Sequence, residues 1–415
     1  MDVLVGRCAG LDVHKGTVMA AVRTPGEGAE RREVVREFQT FTDGLVALRD
    51  WLRSEGVSQV AMEATGVYWK PVWYVLEELP GVDLLLVNAR HAKNLPGRKT
   101  DVADAMWIAQ LLECGLLRGS FVPPREVAQL RDLTRYRTKI VGERVRETQR
   151  IQKLLEDAGI KLDSVASDVL GKSCREMLEG LIGGERDPLV LAERARTNLR
   201  RKIPDLRRAL VGRFDGHHAL LLRMHLDHVD QLIAMEERLD QEVDRLMAPF
   251  AEEATRLTSI PGIGKRVAEV VVSEIGVDMG RFPTAHHLAS WAGLCPGNDE
   301  SAGKRRSGRA RKGNTALRTI LVEAAWAAAH TEDSYLRAQY RRFKRRFGKR
   351  SETKALFAVA HSMIVIVWHV LNTTSDYQDL GSDYFEKRTD TAARQRYLVR
   401  QLENLGHAVT LQPAA

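Results

Sequence analysis

The sequence predicts a mixed α/β domain at the N-terminus and an all-helical remainder. Three observations predict it. Short apolar or alternating stretches fill the chain up to Asn88, the pattern of strands. Long, heavily charged stretches of helical period begin at Arg125. Two apolar helical stretches then flank Pro261-Gly262-Ile263-Gly264, which reads as a tight helical hairpin.

Ala9–His14 and Thr17–Arg23 read as neighbouring antiparallel strands turning at Gly16, and Glu33–Phe41 as a third. Thr42 or Asp43 caps a helix that buries Leu45, Leu48 and Leu52 and stops at Gly56. Ser58–Ala64 is a short apolar strand with Glu63 at its end. Tyr68–Leu79 is a helix with Pro71 in its first turn, and Val82–Asn88 is an apolar strand. A further helix starts near Thr100 and runs through Ala105, Ile108, Ala109, Leu111 and Leu112. Three antiparallel strands followed by βαβ units give a mixed sheet with helices on its faces. The order βββαβαβα is that of ribonuclease-H-like folds.

Four acids stand out on this frame. Asp12 falls inside the first strand. A buried, unpaired charge is costly, so Asp12 is paired, protonated or on a metal. Its bland reading is a turn cap or a pair with Lys15. Glu63 ends the fourth strand. Asp101 and Asp104, three apart at a helix start, share a face. Strand ends and the start of the following helix converge on one crevice in such sheets. Four carboxylates there repel one another unless neutralised, and two Mg²⁺ ions do so in phosphoryl transfer. Acids in a first helical turn are also favoured by the helix dipole alone.

Glu126–Leu155 is a long helix studded with Arg131, Arg135, Arg137, Lys139, Arg144, Arg146 and Arg150. It either packs on the first domain or lies along a nucleic-acid backbone. Residues 160–215 read as irregular helices broken at Gly183-Gly184 and Pro204. His217–Met247 is a second long helix. His225, His228, Leu232, Met235, Leu239, Val243 and Leu246 follow coiled-coil spacing, which suits a bundle core or a dimer seam. His217, His218, His225 and His228 lack a thiolate or clear carboxylate partner and read as surface or seam residues.

Leu257–Gly276 has the helix–hairpin–helix pattern. Gly262 and Gly264 allow close backbone approach, Lys265 and Arg266 add charge, and free amides at the second helix start suit a phosphate. An ordinary helical hairpin is the bland alternative. Ala285–Leu294 is a small helix. Cys295–Asn314 reads as a loop, in which Ser301 and Ser307 sit among Lys304, Arg305, Arg306, Arg309, Arg311 and Lys312. A phosphate there would meet a hydroxyl and several cations, although spacing alone equally fits a basic loop with merely polar serines. Thr315–His330, Ser334–Phe347 and Ser351–Asn372 read as helices. A polar tail with one amphipathic helix near Thr389–Leu405 follows. The expected divisions are 1–124, 125–250, 251–372 and 373–415.

Composition narrows the function. The 415 residues are 44% apolar and 28% charged, as in soluble globular proteins. The four cysteines have no metal-ligand spacing, which fits a reduced cytoplasm and excludes a zinc site or disulfide framework. Strand-like sequence at the start argues against a signal peptide. The most apolar run, within Lys354–Leu371, is short for a bilayer span and reads as a buried helix. Net charge is +8, yet Lys304–Arg350 alone carries fifteen Lys and Arg against three acids, so the rest of the chain is net negative. A basic block in an otherwise acidic protein is a footprint for a polyanion.

The segments GLDVHK, AMEATG, RKTDVADA, IPGIGKRVA, WAGLCPG, ESAGKRRSG and RKGN, in this order, resemble the IS-one-ten insertion-sequence transposases. The resemblance covers nearly the whole chain. It implies a RuvC-like domain whose DEDD set is Asp12, Glu63, Asp101 and Asp104, holding Mg²⁺. It implies a helical C-terminal transposase domain in which Ser301 is the nucleophile, with Ser307 six residues on as the other candidate. It further implies a bacterial, nucleoid-associated recombinase that exchanges strands between donor and target DNA. An element-encoded bridge RNA would guide it, and it would assemble as a dimer or tetramer. A plain metal-dependent nuclease or junction resolvase is the competing expectation, and a non-catalytic nucleic-acid-binding protein a third.

Overall fold

The computed structural model describes residues 3–27, 30–88, 101–297, 299–301, 304–307, 310, 312–348, 352–388 and 391–412. The chain forms two compact units, Met1–Val122 and Pro123–Ala415.

In the first unit, β1 (Cys8–Val13), β2 (Thr17–Pro25) and β3 (Arg31–Gln39) form an antiparallel meander. Then come α1 (Thr42–Ser54), β4 (Gln59–Glu63), α2 (Trp69–Leu76), β5 (Asp83–Val87) and α3 (Asp101–Glu113). The sheet order is β3-β2-β1-β4-β5, with β1, β4 and β5 parallel. This is the ribonuclease-H-like arrangement that the element order predicts. The period of two along each strand separates two faces. Ala9, Leu11, Val13, Val60 and Met62 pack against Leu45, Leu48 and Leu52 of α1 and Val72 and Leu76 of α2. Cys8, Ala61 and Val87 face the other way, onto Ile108 and Leu112 of α3.

Gly10 lets α3 lie directly on β1. A Cβ at Gly10 would stand 2.3 Å from the Ala105 carbonyl oxygen and 2.3 Å from the Ala109 amide nitrogen. Both are backbone atoms, so only glycine fits. Buried Glu113 closes the far end of α3 by pairing with Arg23 (3.0 Å) and Arg31 (2.6 Å).

The second unit is built on two long helices, α4 (Arg125–Asp157) and, after four short helices, α9 (Gly216–Met247). The four are α5 (Leu162–Val165), α6 (Lys172–Ile182), α7 (Pro188–Ala192) and α8 (Ile203–Ala209). Pro204 does not break a helix. It lies in the first turn of α8, where its missing N–H costs nothing. The two long helices run antiparallel. Asp157 meets His218, Glu147 meets His225 (2.5 Å), Arg144 meets Glu236 (3.2 Å) and Arg137 meets Asp240 (2.8 Å). The buried stripe of α9 is Leu222, Leu226, Val229, Leu232, Glu236, Val243 and Met247. That is one position off the predicted seam at several steps, and the stripe is used within the chain against α4.

The C-terminal part contains α10 (Ala251–Thr258), α11 (Lys265–Ile275), α12 (Ala285–Trp291), the strands β6 (Asp299–Ser301) and β7 (Lys304–Ser307), α13 (Thr315–His330), α14 (Tyr335–Phe347), α15 (Glu352–Thr373), α16 (Tyr384–Lys387) and α17 (Thr391–Asn404). By length and composition α15 resembles a membrane span. Ala355, Val359, Ala360, Met363, Ile364 and Val367 are nonetheless buried, so it is the central core helix of this part.

Candidate active site and nucleic-acid interface

Strand register brings two of the four acids together. Leu11 pairs with Met62 across the parallel β1–β4 ladder. Asp12 and Glu63 are the next residues on each strand, so they stand level on neighbours about 4.8 Å apart. Both are in phase with the residues facing α3, Asp12 with Cys8 and Gly10, Glu63 with Ala61.

The start of α3 lies over the same end of the sheet. Cys8 Sγ contacts the Ala109 carbonyl at 3.5 Å, while Gly10 meets both Ala105 and Ala109. Moving backward along α3 therefore moves forward along β1. Position 12 lies about 6.6 Å beyond Gly10 at strand rise, and position 101 about 6 Å beyond Ala105 at helix rise. Position 101 precedes Ala105 by about one helical turn. Asp104 is one turn before Ile108, whose cluster includes Ala61 and Val87. The side chain of Asp101 lies outside the described residues.

Asp12 is only 6% exposed, and its Oδ2 lies 3.1 Å from His14 Nε2. The partner predicted on the bland reading was Lys15. A strand side chain meets its i+2 neighbour on the same face, whereas i+1 points away. Glu63 and Asp104 are half-buried. Among the described residues, no three His, Cys, Asp or Glu side chains gather closely enough to hold an ion. The donors are nonetheless of the right kind for Mg²⁺, all oxygen and all anionic. Burial pushes the thiols of Cys8 and Cys174 up to about 11, so neither supplies a thiolate nucleophile at neutral pH.

The predicted basic loop is a two-stranded hairpin. Asp299 pairs with Ser307, Glu300 with Arg305 and Ser301 with Lys304, with a bulge at Asp299/Glu300. Ser301 is thus the last strand residue before the tip, and Ser307 belongs to the base. Lys304, Arg305 and Arg306 are on β7, and Lys312 is exposed beyond it. Arg309 and Arg311 lie outside the described residues. Pro296 bridges Ala310 below the hairpin.

The helical hairpin forms as α10 and α11, but its features are used internally. Gly262 has φ +86°, and a Cβ there would stand 2.3 Å from the Ala324 carbonyl oxygen of α13. Lys265 pairs with Asp244 (2.6 Å), and Arg266 with Glu236 (2.8 Å) and Asp240 (2.9 Å), all on α9. Hydrogen bonding to these carboxylates raises the pKa of both cations. Gly264, which caps α11, does have open space at its Cα. The freer cations are on α14. Arg341, Arg345 and Arg346 are exposed, and none forms an ion pair among the described residues, whereas Lys344 pairs with Glu352. Sequence reasoning missed these three. Their signal was the basic run RRFKRRF with no acid among its residues.

Comparisons with known proteins fit both halves. Residues 9–160 match a transposase family model of the DEDD IS110 type, and residues 254–341 match one described as Transposase IS116/IS110/IS902 family. The chain is 28% identical over 273 residues to the putative transposase y4rJ of Sinorhizobium fredii, covering 62% of this chain and 60% of that one. It is 29% identical over 321 residues to the insertion element IS110 uncharacterized 43.6 kDa protein of Streptomyces coelicolor, covering 72% and 76%. Among solved structures it resembles Thermus thermophilus RuvC, at 16% identity and TM-score 0.22, over 28% of this chain and 99% of that one.

Proposed function

The chain belongs to the IS110 family of insertion-sequence transposases, and from this we propose that it cleaves and exchanges DNA strands, with Ser301 as the covalent nucleophile. The observation that carries the reading is the level placement of Asp12 and Glu63 under the start of α3. Asp12, Glu63, Asp101 and Asp104 would hold Mg²⁺. The bound ions would supply charge neutralisation and polarise the phosphate. The chain's own part is to fix the carboxylates on a rigid sheet and a helix that glycine seats directly on it.

In the transfer step, Ser301 Oγ bonds to phosphorus and the bridging bond to the sugar oxygen breaks. The hydroxyl proton ends on the departing sugar oxygen. One phosphodiester replaces another, so the energy of the bond is conserved for rejoining. The tip position of Ser301, beside Lys304, supports it over Ser307. The unpaired arginines of α14 suit a nucleic-acid backbone, which is bound without reading sequence. Sequence choice would come from base pairing by a bridge RNA, in a homo-oligomer acting at the bacterial nucleoid on donor and target DNA.

The test is to incubate the protein and Mg²⁺ with nicked donor DNA and look for a protein–DNA adduct on a denaturing gel. The reading expects an adduct in wild type and Ser307→Ala, and none in Ser301→Ala or with chelator. Hydrolysed ends without any adduct would establish the nuclease or resolvase reading instead. Sequencing the RNA that copurifies tests the guide.

A further inference from the structure

We propose that Glu274 and Asn314 form a buried latch that fixes the C-terminal stem of the Ser301 hairpin, making Glu274 a positioning residue for strand transfer. The proposal rests on the serine reading above only for that last clause. The latch itself stands on contacts within the second unit.

Glu274, on α11, is fully buried yet is surrounded by donors. Arg135 of α4 donates to it twice, at 2.6 and 2.8 Å, and Arg131 lies 3.3 Å from Oε2. Arg131 also donates to the main-chain carbonyls of Ser273 (3.0 Å) and Glu274 (2.6 Å). A further contact comes from the start of α13, where the segment carrying the hairpin rejoins the helices: Asn314 Nδ2 donates to Glu274 Oε2 at 2.6 Å.

Asn314 lies seven residues after Ser307, the last residue of β7, and is the N-cap of α13. Its Oδ1 accepts from the Leu317 amide (3.0 Å) and so caps α13, while its Nδ2 reaches Glu274. One side chain therefore joins the hairpin exit, the helix that follows and the buried charge cluster. The other stem is held to it directly. A Cβ at Gly313 would fall 2.4 Å from the Gly293 nitrogen and 2.5 Å from its Cα, so the two ends of the segment cross in contact. Asn314 N also donates to the Trp291 carbonyl at 3.4 Å.

A buried carboxylate is costly unless its partners satisfy it, and losing one of them costs more than leaving the pair intact. Here two arginines anchor Glu274 to a 33-residue helix, and the amide of Asn314 transmits that rigidity to the stem. A nucleophile on a two-stranded hairpin, too small to be stable alone, gains its aim from such a foundation.

Asn314→Ser separates the latch from ordinary helix capping. Serine caps a helix about as well as asparagine but is too short to reach Glu274. Glu274→Gln keeps an acceptor for Asn314 and removes the charge facing Arg131 and Arg135. Hydrogen exchange read by mass spectrometry follows peptides within 293–313, and single-turnover adduct formation follows the chemistry. For Asn314→Ser we expect a melting temperature lowered by a few degrees at most, faster exchange confined to those peptides, DNA affinity within about twofold and adduct formation slower by about tenfold. Glu274→Gln should show the same separation of rate from affinity, more weakly. Unchanged exchange in Asn314→Ser overturns the latch. Rate, affinity and melting temperature falling together would reduce it to a general structural contact. If wild type forms no adduct, the serine reading fails, while the exchange comparison still decides the latch.

Discussion

Replacing Gly10 by alanine should disable the carboxylate site without touching a carboxylate. The new Cβ would stand 2.3 Å from the Ala105 carbonyl oxygen, and ordinary contact begins at 3.4 Å, so α3 must retreat by about 1.1 Å. Ala105 and Ala109 meet it with backbone atoms, so trimming their side chains brings no relief. Overpacking of this kind costs about 1–3 kcal/mol. For a unit of this size that is roughly 4–8 °C in melting temperature per kcal/mol. On the proposed function, the displaced helix would carry Asp101 and Asp104 away from Asp12, and a misplacement of about 1 Å in an active site costs on the order of 100-fold in rate. The assay is thermal unfolding beside single-turnover cleavage, with Gly16→Ala as control. Gly16 has nothing within 4 Å of its would-be Cβ, and its variant should match wild type. A Gly10→Ala protein with normal melting and normal cleavage would refute the argument that α3 is seated on β1 by backbone contact.

Three further outcomes are expected. Asp12→Asn should abolish cleavage while unfolding at the same or a slightly higher temperature, since a nearly buried charge is removed and an amide can still meet His14; an active variant would overturn the metal assignment. Gly262→Ala should lower the melting temperature of the second unit, because φ +86° and the Ala324 carbonyl 2.3 Å away both exclude a side chain, and wild-type unfolding would refute this. Burial alone would lower the His218 pKa, but the carboxylates of Asp215 and Asp157 outweigh it and hold it raised. That stability is fully present below the ordinary histidine pKa and is lost as pH rises through the folded value, so wild type should lose melting temperature relative to His218→Gln on going from about pH 6 to pH 8.

Much of the first unit was legible because alternation and turn residues act locally. Among the described residues, five strands and three helices are where the pattern puts them, with ends moved by up to three residues. The partner of Asp12 was missed because it depends on strand geometry rather than charge: His14 shares its face and Lys15 does not. The basic segment read as coil because of its Pro, Gly, Ser and Asn content, yet the same residue types also suit a short hairpin. Pro204 read as a stop because its meaning depends on whether it falls inside a helix or at its first turn. The neutralisation of Lys265 and Arg266 was invisible because their acids lie 21 to 30 residues earlier, on a helix whose packing no local pattern specifies. Asn314 did carry a signal, an asparagine directly before a helical run, but that signal announces a cap and not a second bond to Glu274.

The crossing of Gly293 and Gly313 has an engineering consequence. Because Gly293 and Gly313 touch, the stretch that follows the buried Leu294 and ends at Gly313 is a detachable cassette. Splicing it out with a short linker asks no helix to move, and longer or shorter versions can be exchanged at the same seam. The helical scaffold and the hairpin can therefore diversify separately, each at its own pace.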